Sequence, residues 1–176
     1  MNRFVLISGC SGGGKSTLLF ELKRRGHAVV EEPGRRIIAA EIKGSGRALP
    51  WANLAAFAER AVELSLRDRD EATGTSGFVF FDRGLIDAAV PLEHATGMPA
   101  LKRYAVLRYN PRVFVTPPWP EIYANDADRQ HSLQEAIAEY KRLLAAFASL
   151  GYQVEVLPKI DVTSRADMIL ECLNSD

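Results

Sequence analysis

A glycine-rich segment near the start of the chain constrains the fold most strongly. Residues 9–17 match the pattern G-x-x-x-x-G-K-[ST]. They follow the apolar stretch Phe4–Ile7, which is typical of a buried strand, and they lead into a helical pattern from about Lys15 to Arg25. This order of strand, loop and helix is the context in which such a loop binds nucleotide phosphates. The alternative, a glycine-rich turn that matches by chance in an unrelated fold, does not account for that context.

Each part of this segment, called here the phosphate loop (residues 9–17), has a task in phosphate binding. Its glycines let the backbone curl, so that successive N–H groups point at a phosphate from the positive end of the following helix. Lys15 is expected to reach the β- and γ-phosphates, and the Ser16 hydroxyl is expected to bind Mg²⁺. The predicted nucleotide-binding residues are Gly9, Cys10, Ser11, Gly12, Gly13, Gly14, Lys15, Ser16 and Thr17.

Short apolar runs recur between helical patterns along the rest of the chain. After the first, they lie at Ala28–Val30, Phe78–Phe81, Val113–Val115 and Val154–Leu157. This alternation predicts an α/β fold in which helices cover both faces of a mostly parallel sheet. The length of 176 residues suits one domain, residues 1–176, with a substantial core.

Two of the helix boundaries are predicted from local signals. Apolar residues recur on one face from about Trp51 to Glu71, which predicts a long helix. The last helix is predicted to begin near Thr163 or Ser164, with Asp167 as a reciprocal cap to Ser164.

Charge and cysteine content restrict the partners and the compartment. The 22 basic and 22 acidic residues cancel, so the chain has no bulk basic field that would attract nucleic acid. Its first apolar run is too short for a signal segment or a membrane span. Cys10 and Cys172 have no metal-ligand spacing and suit a reducing compartment. We therefore expect a cytoplasmic protein with no nucleic-acid partner and no membrane span.

A carboxylate and a guanidinium follow the third apolar run. In an open α/β sheet, ligands bind at the carboxyl ends of the strands, so Asp82 should face the same crevice as Lys15. Asp82 is then the natural partner of Mg²⁺ alongside Ser16, and Arg83 could grip an acceptor substrate. In the alternative interpretation Asp82 is the N-cap of the next helix and Arg83 is its ion-pair partner.

Another carboxylate pair, Glu31 and Glu32, ends the second apolar run. A carboxylate there could accept the proton of an acceptor hydroxyl as it attacks the γ-phosphate, and Glu32 is the preferred candidate because it adjoins the turn at Pro33. The alternative is a solvated strand end in which Arg35 or Arg36 simply pairs with these charges.

A candidate lid residue lies between the fourth apolar run and the helix predicted from about Ser132. Arg129 could close over the phosphates and neutralise charge on the transferred group, with Asp126 or Asp128 orienting it. A plain helix entrance, with these aspartates near the positive end of its dipole, explains the same residues equally well.

Four segments together resemble a known family. They are the phosphate loop, Glu32-Pro33-Gly34-Arg35, Phe81-Asp82-Arg83-Gly84-Leu85-Ile86-Asp87 and Pro118-Trp119-Pro120-Glu121-Ile122-Tyr123. The chain resembles the small single-domain P-loop ATPases known as AAA-domain proteins, which are related to the kinase domain of nicotinamide ribonucleoside kinases. The resemblance implies a P-loop NTPase three-layer sandwich, with a parallel five-stranded sheet of order 2-3-1-4-5 and helices on both faces.

The same resemblance adds to the acceptor side. The spacing from Glu32 to Arg35 looks like the acceptor motif of nicotinamide riboside kinases and the Glu-Pro of deoxynucleoside kinases, which implies acceptor contacts for Glu32 and Arg35. Together with Arg83 at the end of the third apolar run, these are the predicted substrate-binding residues. The chain is too short for a ring-forming AAA+ module with its helical lid domain, so hexameric remodelling is not expected.

The sequence predicts an ATP- and Mg²⁺-dependent phosphotransferase that acts on a small, nucleoside-like metabolite. Its catalytic residues are predicted to be Lys15, Glu32, Asp82 and Arg129. A GTP- or ATP-binding regulatory switch, or an NTPase without a small-molecule acceptor, is the alternative. The segment Pro158-Lys159-Ile160-Asp161 supports the switch, although Pro158 lacks the amide or hydroxyl that begins a guanine-binding N/T-K-x-D motif. The acceptor, the choice of ATP or GTP, and the oligomeric state stay open at this stage.

Overall fold

The chain alternates between strands and helices, and a computed structural model describes it over residues 2–122 and 133–175. The strands of these ranges are β1 (Phe4–Gly9), β2 (Ala28–Val30), β3 (Val79–Asp82), β4 (Arg112–Thr116) and β5 (Gln153–Val156). The helices are α1 (Lys15–Arg24), α2 (Pro33–Lys43), α3 (Leu54–Ala72), α4 (Leu85–Thr96), α5 (Ala100–Tyr104), α6 (Leu133–Ser149) and α7 (Val162–Asn174), with a 3₁₀ turn at Pro120–Ile122.

The strands form one parallel sheet. Their order is β2-β3-β1-β4-β5, and each neighbouring pair is parallel. The α/β class and the P-loop order 2-3-1-4-5 are therefore confirmed. β1 lies in the middle of the sheet, and all of its residues are buried. This burial on both faces explains its unbroken apolar run.

Side chains that alternate along the central strands build two separate cores. On one face, Leu6 and Phe81 belong to a core that also contains buried residues of α3, α4 and α6. On the other face, Ile7, Phe80 and Phe114 pack with buried residues of α1 and α7. Since neighbouring residues of a strand point to opposite faces, an apolar residue at every position is the pattern that a sheet covered on both sides requires.

The strand register brings the segments that follow β1, β2 and β3 together at the carboxyl end of the sheet. Ile7 of β1 pairs with Asp82 of β3, and Gly9 of β1 pairs with Thr116 of β4. Val30 of β2 pairs with Phe81. Glu32 and Arg83, each two residues further along, therefore leave neighbouring strands side by side, at the same edge as the phosphate loop.

The helix starts lie close to the predicted ones, three residues later for α3 and one or two residues earlier for α7. Helix α3 begins at Leu54 rather than near Trp51, because the Asn53 side chain caps it by accepting a hydrogen bond from the Ala56 N–H at 3.0 Å. Helix α7 begins at Val162, where Asp161 accepts from the Ser164 N–H at 2.9 Å. Asp167 forms an ion pair with Arg25 and does not cap Ser164.

The helices were also compared with the length and hydropathy that a membrane span needs. Over residues 2–122 and 133–175, each helix is too short or too polar to cross a bilayer.

Gly9 offers a test of this packing. Its φ is +120°, and an added Cβ would lie 2.6 Å from the Thr116 backbone nitrogen. We expect Gly9→Ala to lower the free energy of unfolding by about 3 kcal/mol, because backbone strain adds to the overlap. Urea unfolding measures this change. The control is Gly74→Ala, since no heavy atom lies within 4 Å of a Cβ there, and equal stability of the two variants would contradict the prediction.

Candidate functional site

The phosphate loop connects β1 to α1 and is tied to the end of β4. The Cys10 N–H donates to the Thr116 carbonyl at 2.9 Å. Gly12 and Gly14 adopt left-handed φ values of 81° and 77°, which let the chain reverse within a few residues. An added Cβ on Gly13 would lie 2.7 Å from Thr116 Oγ1, so the loop can pass β4 only as glycine.

Helix α1 begins directly at the end of this loop. Its N-cap residue is Gly14, and no side chain caps its first turn. Its first N–H groups and the positive end of its dipole are therefore left for an anion. The side chains of Ser16 and Thr17 are exposed at the same end of the helix.

Lys15 and Asp82 form a buried ion pair beside the loop. Lys15 Nζ lies 3.1 Å from Asp82 Oδ1, and both side chains are less than a tenth exposed. The predicted N-cap role for Asp82 is wrong, because Gly84 occupies the N-cap position of α4 and the Asp87 carboxylate accepts from its N–H at 3.0 Å. Asp82 thus points toward the phosphate loop from the end of β3, where the sequence predicts it.

The donors at this position fit Mg²⁺ together with a nucleotide. Apart from its ion pair with Lys15, the buried Asp82 Oδ1 accepts no hydrogen bond among the described residues, while the Ser16 hydroxyl is exposed at the start of α1. No group of three or more histidine, cysteine, aspartate or glutamate residues gathers into a metal site in the described parts of the chain. A protein-only metal cage is therefore not formed there, whereas Mg²⁺ commonly binds through one or two carboxylates and substrate phosphates.

Arg83 occupies a strained backbone conformation at the end of β3. Its φ of 59° is the left-handed value, which a residue with a long side chain rarely adopts. The guanidinium lies 2.6 Å from Glu139 Oε1, 3.3 Å from Glu32 Oε1 and 3.9 Å from Asp87 Oδ1. Burial alone would lower the pKa of Arg83, but these three carboxylates outweigh burial and raise it, so the guanidinium stays charged. The strained turn therefore places a fixed cation among three carboxylates.

Glu32 belongs to this cluster and lies in the short segment between β2 and α2. Its carboxylate also contacts Arg35, with 3.2 Å between Oε2 and Nε. Burial opposes ionisation, but Lys15, Arg83 and Arg35 together hold the pKa of Glu32 below its ordinary value. The neighbouring Glu31 is exposed to solvent. Of the two glutamates, only Glu32 contacts Arg83.

Asp87 completes the cluster from the first turn of α4. It accepts hydrogen bonds from the Ser8 hydroxyl and the Gly84 N–H. Burial raises its pKa from the ordinary 3.8 to about 6, against the opposing effects of Arg83 and Ser8. The site therefore contains a carboxyl group that titrates close to neutral pH.

A cleft of about 1010 Å³ extends from the phosphate loop past these charges. Its charged end holds Glu32, Arg83, Asp87 and Glu139. Its apolar lining residues include Ile38, Trp51, Leu54, Phe57, Ala61 and Pro91. A cleft of this size that combines apolar surface with charged groups has the character of a small-molecule site.

The loop that carries Trp51 to the cleft is anchored by Glu41 of α2. The buried Glu41 carboxylate accepts from the Ala48 N–H at 3.0 Å and from the Ser45 hydroxyl at 3.1 Å, and it pairs with Arg60 of α3. The hydrogen bond from Ala48 is the main reason that the pKa of Glu41 is lowered. One side chain therefore organises the connection between α2 and α3.

Some predicted site residues lie elsewhere, and some site residues were not predicted. Arg129, with Asp126 and Asp128, lies outside the described residues. Asp87 and Glu139 had no predicted role. Asp87 does carry a local signal, since a carboxylate three residues after a helix N-cap is a capping pattern. Glu139 has none, because it reaches Arg83 from a helix 56 residues further along the chain.

Loop, sheet order and cleft define a small P-loop domain of the kinase and ATPase class. The sequence matches the family model described as AAA domain over residues 4–165. The chain belongs to this family, as the sequence predicts. No curated protein matches it in sequence.

Solved structures share this fold. Deoxyadenosine kinase from M. mycoides with bound dATP is 14% identical, with a TM-score of 0.65, over 98% of this chain and 99% of that chain. The same kinase with dCMP and a flexible dCDP bound is 13% identical, with a TM-score of 0.66, over 98% of this chain and 100% of that chain. The NadR protein in complex with NAD and AMP-PNP is 20% identical, with a TM-score of 0.67, over 99% of this chain and 49% of that chain. At these identities the likeness shows the fold.

The raised pKa of Asp87 predicts a pH-dependent difference in stability. Because the folded state binds this proton more tightly than the unfolded chain, the contribution of Asp87 is largest below the ordinary pKa of 3.8 and is lost as pH rises through about 6. In Asp87→Asn the side chain does not titrate, so the variant does not lose this contribution. We expect the free energy of unfolding of Asp87→Asn, relative to that of the wild type, to rise by about 2 kcal/mol between about pH 4 and pH 7, as measured by urea unfolding at both values.

The exposed Asp70 of α3 provides the control, as Asp70→Asn also removes one aspartate. Any constant effect of the lost Asp87–Arg83 contact cancels in the comparison of the two pH values. If wild type and Asp87→Asn kept the same difference in stability at both values, the titration of Asp87 described here would be wrong.

Proposed function

We propose that the protein is an ATP- and Mg²⁺-dependent phosphotransferase that acts on a small, nucleoside-like metabolite. The observation that carries this proposal is the cleft of about 1010 Å³, which is lined by the phosphate loop, by the charged cluster and by apolar side chains. Because the cleft reaches beyond the loop to the charged cluster, it offers a place for an acceptor next to a bound nucleotide. An acceptor bound there would lie beside the γ-phosphate.

The phosphate loop would hold ATP through its backbone N–H groups and through Lys15. Binding would turn Lys15 from Asp82 toward the phosphates, which leaves the Asp82 carboxylate and the Ser16 hydroxyl to hold Mg²⁺. Mg²⁺ held there would neutralise negative charge on the phosphates. Catalysis in this class depends on positioning and charge stabilisation, which the loop amides, Lys15 and Mg²⁺ would supply.

The charged cluster would bind and activate the acceptor. An acceptor hydroxyl oxygen would attack the γ-phosphorus while the bond from phosphorus to the β,γ-bridging oxygen breaks and ADP leaves. The hydroxyl proton would pass to Glu32, whose lowered pKa keeps it ionised and ready to accept. Arg35 and Arg83 would donate hydrogen bonds to the acceptor, and Arg129 would neutralise charge on the transferred group.

The aromatic lining of the cleft supports an acceptor that carries a ring. Phe57 and Trp51 both line the cleft, and flat aromatic surfaces of this kind bind bases and similar rings. The fold neighbours include a deoxyadenosine kinase and a NadR protein, which agrees with a nucleoside-like acceptor. Among the described residues, Cys10 and Cys172 form no disulfide, as suits the proposed cytoplasmic site of the reaction.

A guanine-nucleotide switch has less support. Asp161, the residue on which that interpretation depends, uses its carboxylate to accept from the Ser164 N–H and hydroxyl at 2.9 and 2.7 Å. These contacts cap α7 and engage the oxygens that a guanine base would require.

A panel of acceptors tests the proposal directly. Nucleosides, nucleotides, nicotinamide riboside and sugars are incubated with MgATP or MgGTP, ADP or GDP formation is followed, and products are identified by mass. We expect acceptor-dependent transfer from ATP that Lys15→Ala abolishes, while Lys23→Ala, at an exposed lysine of the same helix, leaves it intact. Preference for GTP without transfer would favour the switch, and no transfer to any acceptor would count against a kinase.

Glu32 is tested separately from nucleotide binding. Glu32→Gln keeps the size of the side chain but removes its ability to take the proton, so we expect kcat to fall about 100-fold. ATP affinity should be nearly unchanged, because the Glu32 carboxylate makes its ion pairs with Arg35 and Arg83 and interacts with Lys15 of the phosphate loop only through space. Steady-state kinetics and calorimetry measure the two effects. Glu31→Gln is the matched control, and wild-type turnover in Glu32→Gln would remove Glu32 from this role.

A further inference from the structure

A buried arginine from the last helix reaches the phosphate loop from behind. Arg165 of α7 is only 2% exposed. Its Nη1 donates to the Gly13 carbonyl at 3.1 Å, and its Nη2 donates to the Gly14 carbonyl at 2.8 Å. These contacts cross 152 and 151 residues of chain, so they join two remote segments.

These two carbonyls determine where the neighbouring N–H groups point. A peptide unit is planar and trans, so its carbonyl and its N–H point in opposite directions. When Arg165 holds the Gly13 carbonyl, the N–H of Gly14 is turned away from Arg165, and the Gly14 carbonyl fixes the N–H of Lys15 in the same way. Both N–H groups belong to the part of the loop that faces a bound phosphate. We infer that Arg165 positions the phosphate-binding amides of the loop and adds a fixed positive charge behind them.

The surroundings of Arg165 keep it in this position. Its guanidinium carbon lies 5.7 Å from the centre of the Trp119 ring, and its backbone N–H donates to the Asp161 carbonyl at 3.2 Å within the first turn of α7. Among the described residues it forms no ion pair with a carboxylate. An arginine retains its charge when buried, so this charge remains available to an anion at the loop.

A second property points to the loop rather than to general packing. Gly14 has a left-handed φ of 77° and ends the loop as the N-cap of α1, where no side chain caps the helix. The Gly14 carbonyl also accepts from the Leu18 N–H of α1 at 3.3 Å. Arg165 adds a shorter hydrogen bond to this carbonyl, at 2.8 Å, and one to the Gly13 carbonyl, from the forked donors that a lysine lacks.

The inference rests on the proposed nucleotide binding, and its test separates loop geometry from turnover. The variants are Arg165→Met, which keeps much of the bulk, and Arg165→Lys, which keeps the charge but not the fork. Arg108→Met is the matched control. Arg108 also donates to a backbone carbonyl, that of Leu150 at 2.8 Å, and lies 3.9 Å from the Tyr152 ring centre, before the amino end of β4.

Calorimetry with MgATP and with inorganic tripolyphosphate measures phosphate binding in all variants. Amide hydrogen exchange of the ligand-free proteins follows the N–H groups of Gly14 and Lys15. We expect Arg165→Met to weaken binding of both ligands at least about tenfold and to speed exchange at the two amides by a similar factor. Arg165→Lys should recover part of the affinity, and Arg108→Met should bind as the wild type does.

Each outcome decides the inference. Wild-type affinity and exchange in Arg165→Met would overturn it, as would equal losses in Arg165→Met and Arg108→Met. Should Arg165→Met fail to fold, wild-type affinity and exchange in Arg165→Lys would overturn it, and a selective loss there would support it. If the wild-type protein binds neither ligand, the proposed function fails, and amide exchange alone decides the role of Arg165.

Discussion

The site depends on the close approach of β1 to β4 at the carboxyl end of the sheet. Gly9 pairs with Thr116, and both Gly9 and Gly13 lack the room for a Cβ against that strand. The phosphate loop therefore leaves the sheet at a fixed place. The register on the other side of β1 sets Asp82 beside it, so one local contact between backbones determines where Lys15 and its carboxylate partner meet.

The charged end of the cleft is held together by ion pairs. A single guanidinium, that of Arg83, joins carboxylates from the N-cap of α2, from α4 and from α6. A charged group that is buried away from water needs an oppositely charged partner, because loss of one partner leaves the other charge buried and unpaired. The strained backbone of Arg83 is retained because three partners hold its side chain, and this arrangement makes the end of the cleft rigid before any ligand binds.

The sequence predicts what local patterns encode. The phosphate loop and the apolar runs are enough to predict the parallel sheet. The positions of Asp82 and Glu32 follow because the carboxyl ends of parallel strands lie at the same end of the sheet. Boundaries were less predictable, because the Asn53 and Asp161 caps compete with other polar residues nearby that have similar propensity. Glu139 and Arg165 could not be found in this way, since their contacts depend on how helices separated by many residues pack, and no spacing in the sequence records that.

The hydrogen bonds from Arg165 also have a consequence for how the chain matures. The phosphate loop is synthesised well before α7, whose Arg165 holds the carbonyls of Gly13 and Gly14 from 152 and 151 residues further along the chain. A nascent chain can thus form the loop early, but the loop lacks these two hydrogen bonds until α7 has also been made and has packed. The final geometry of the loop therefore depends on a segment that is translated much later than the loop itself.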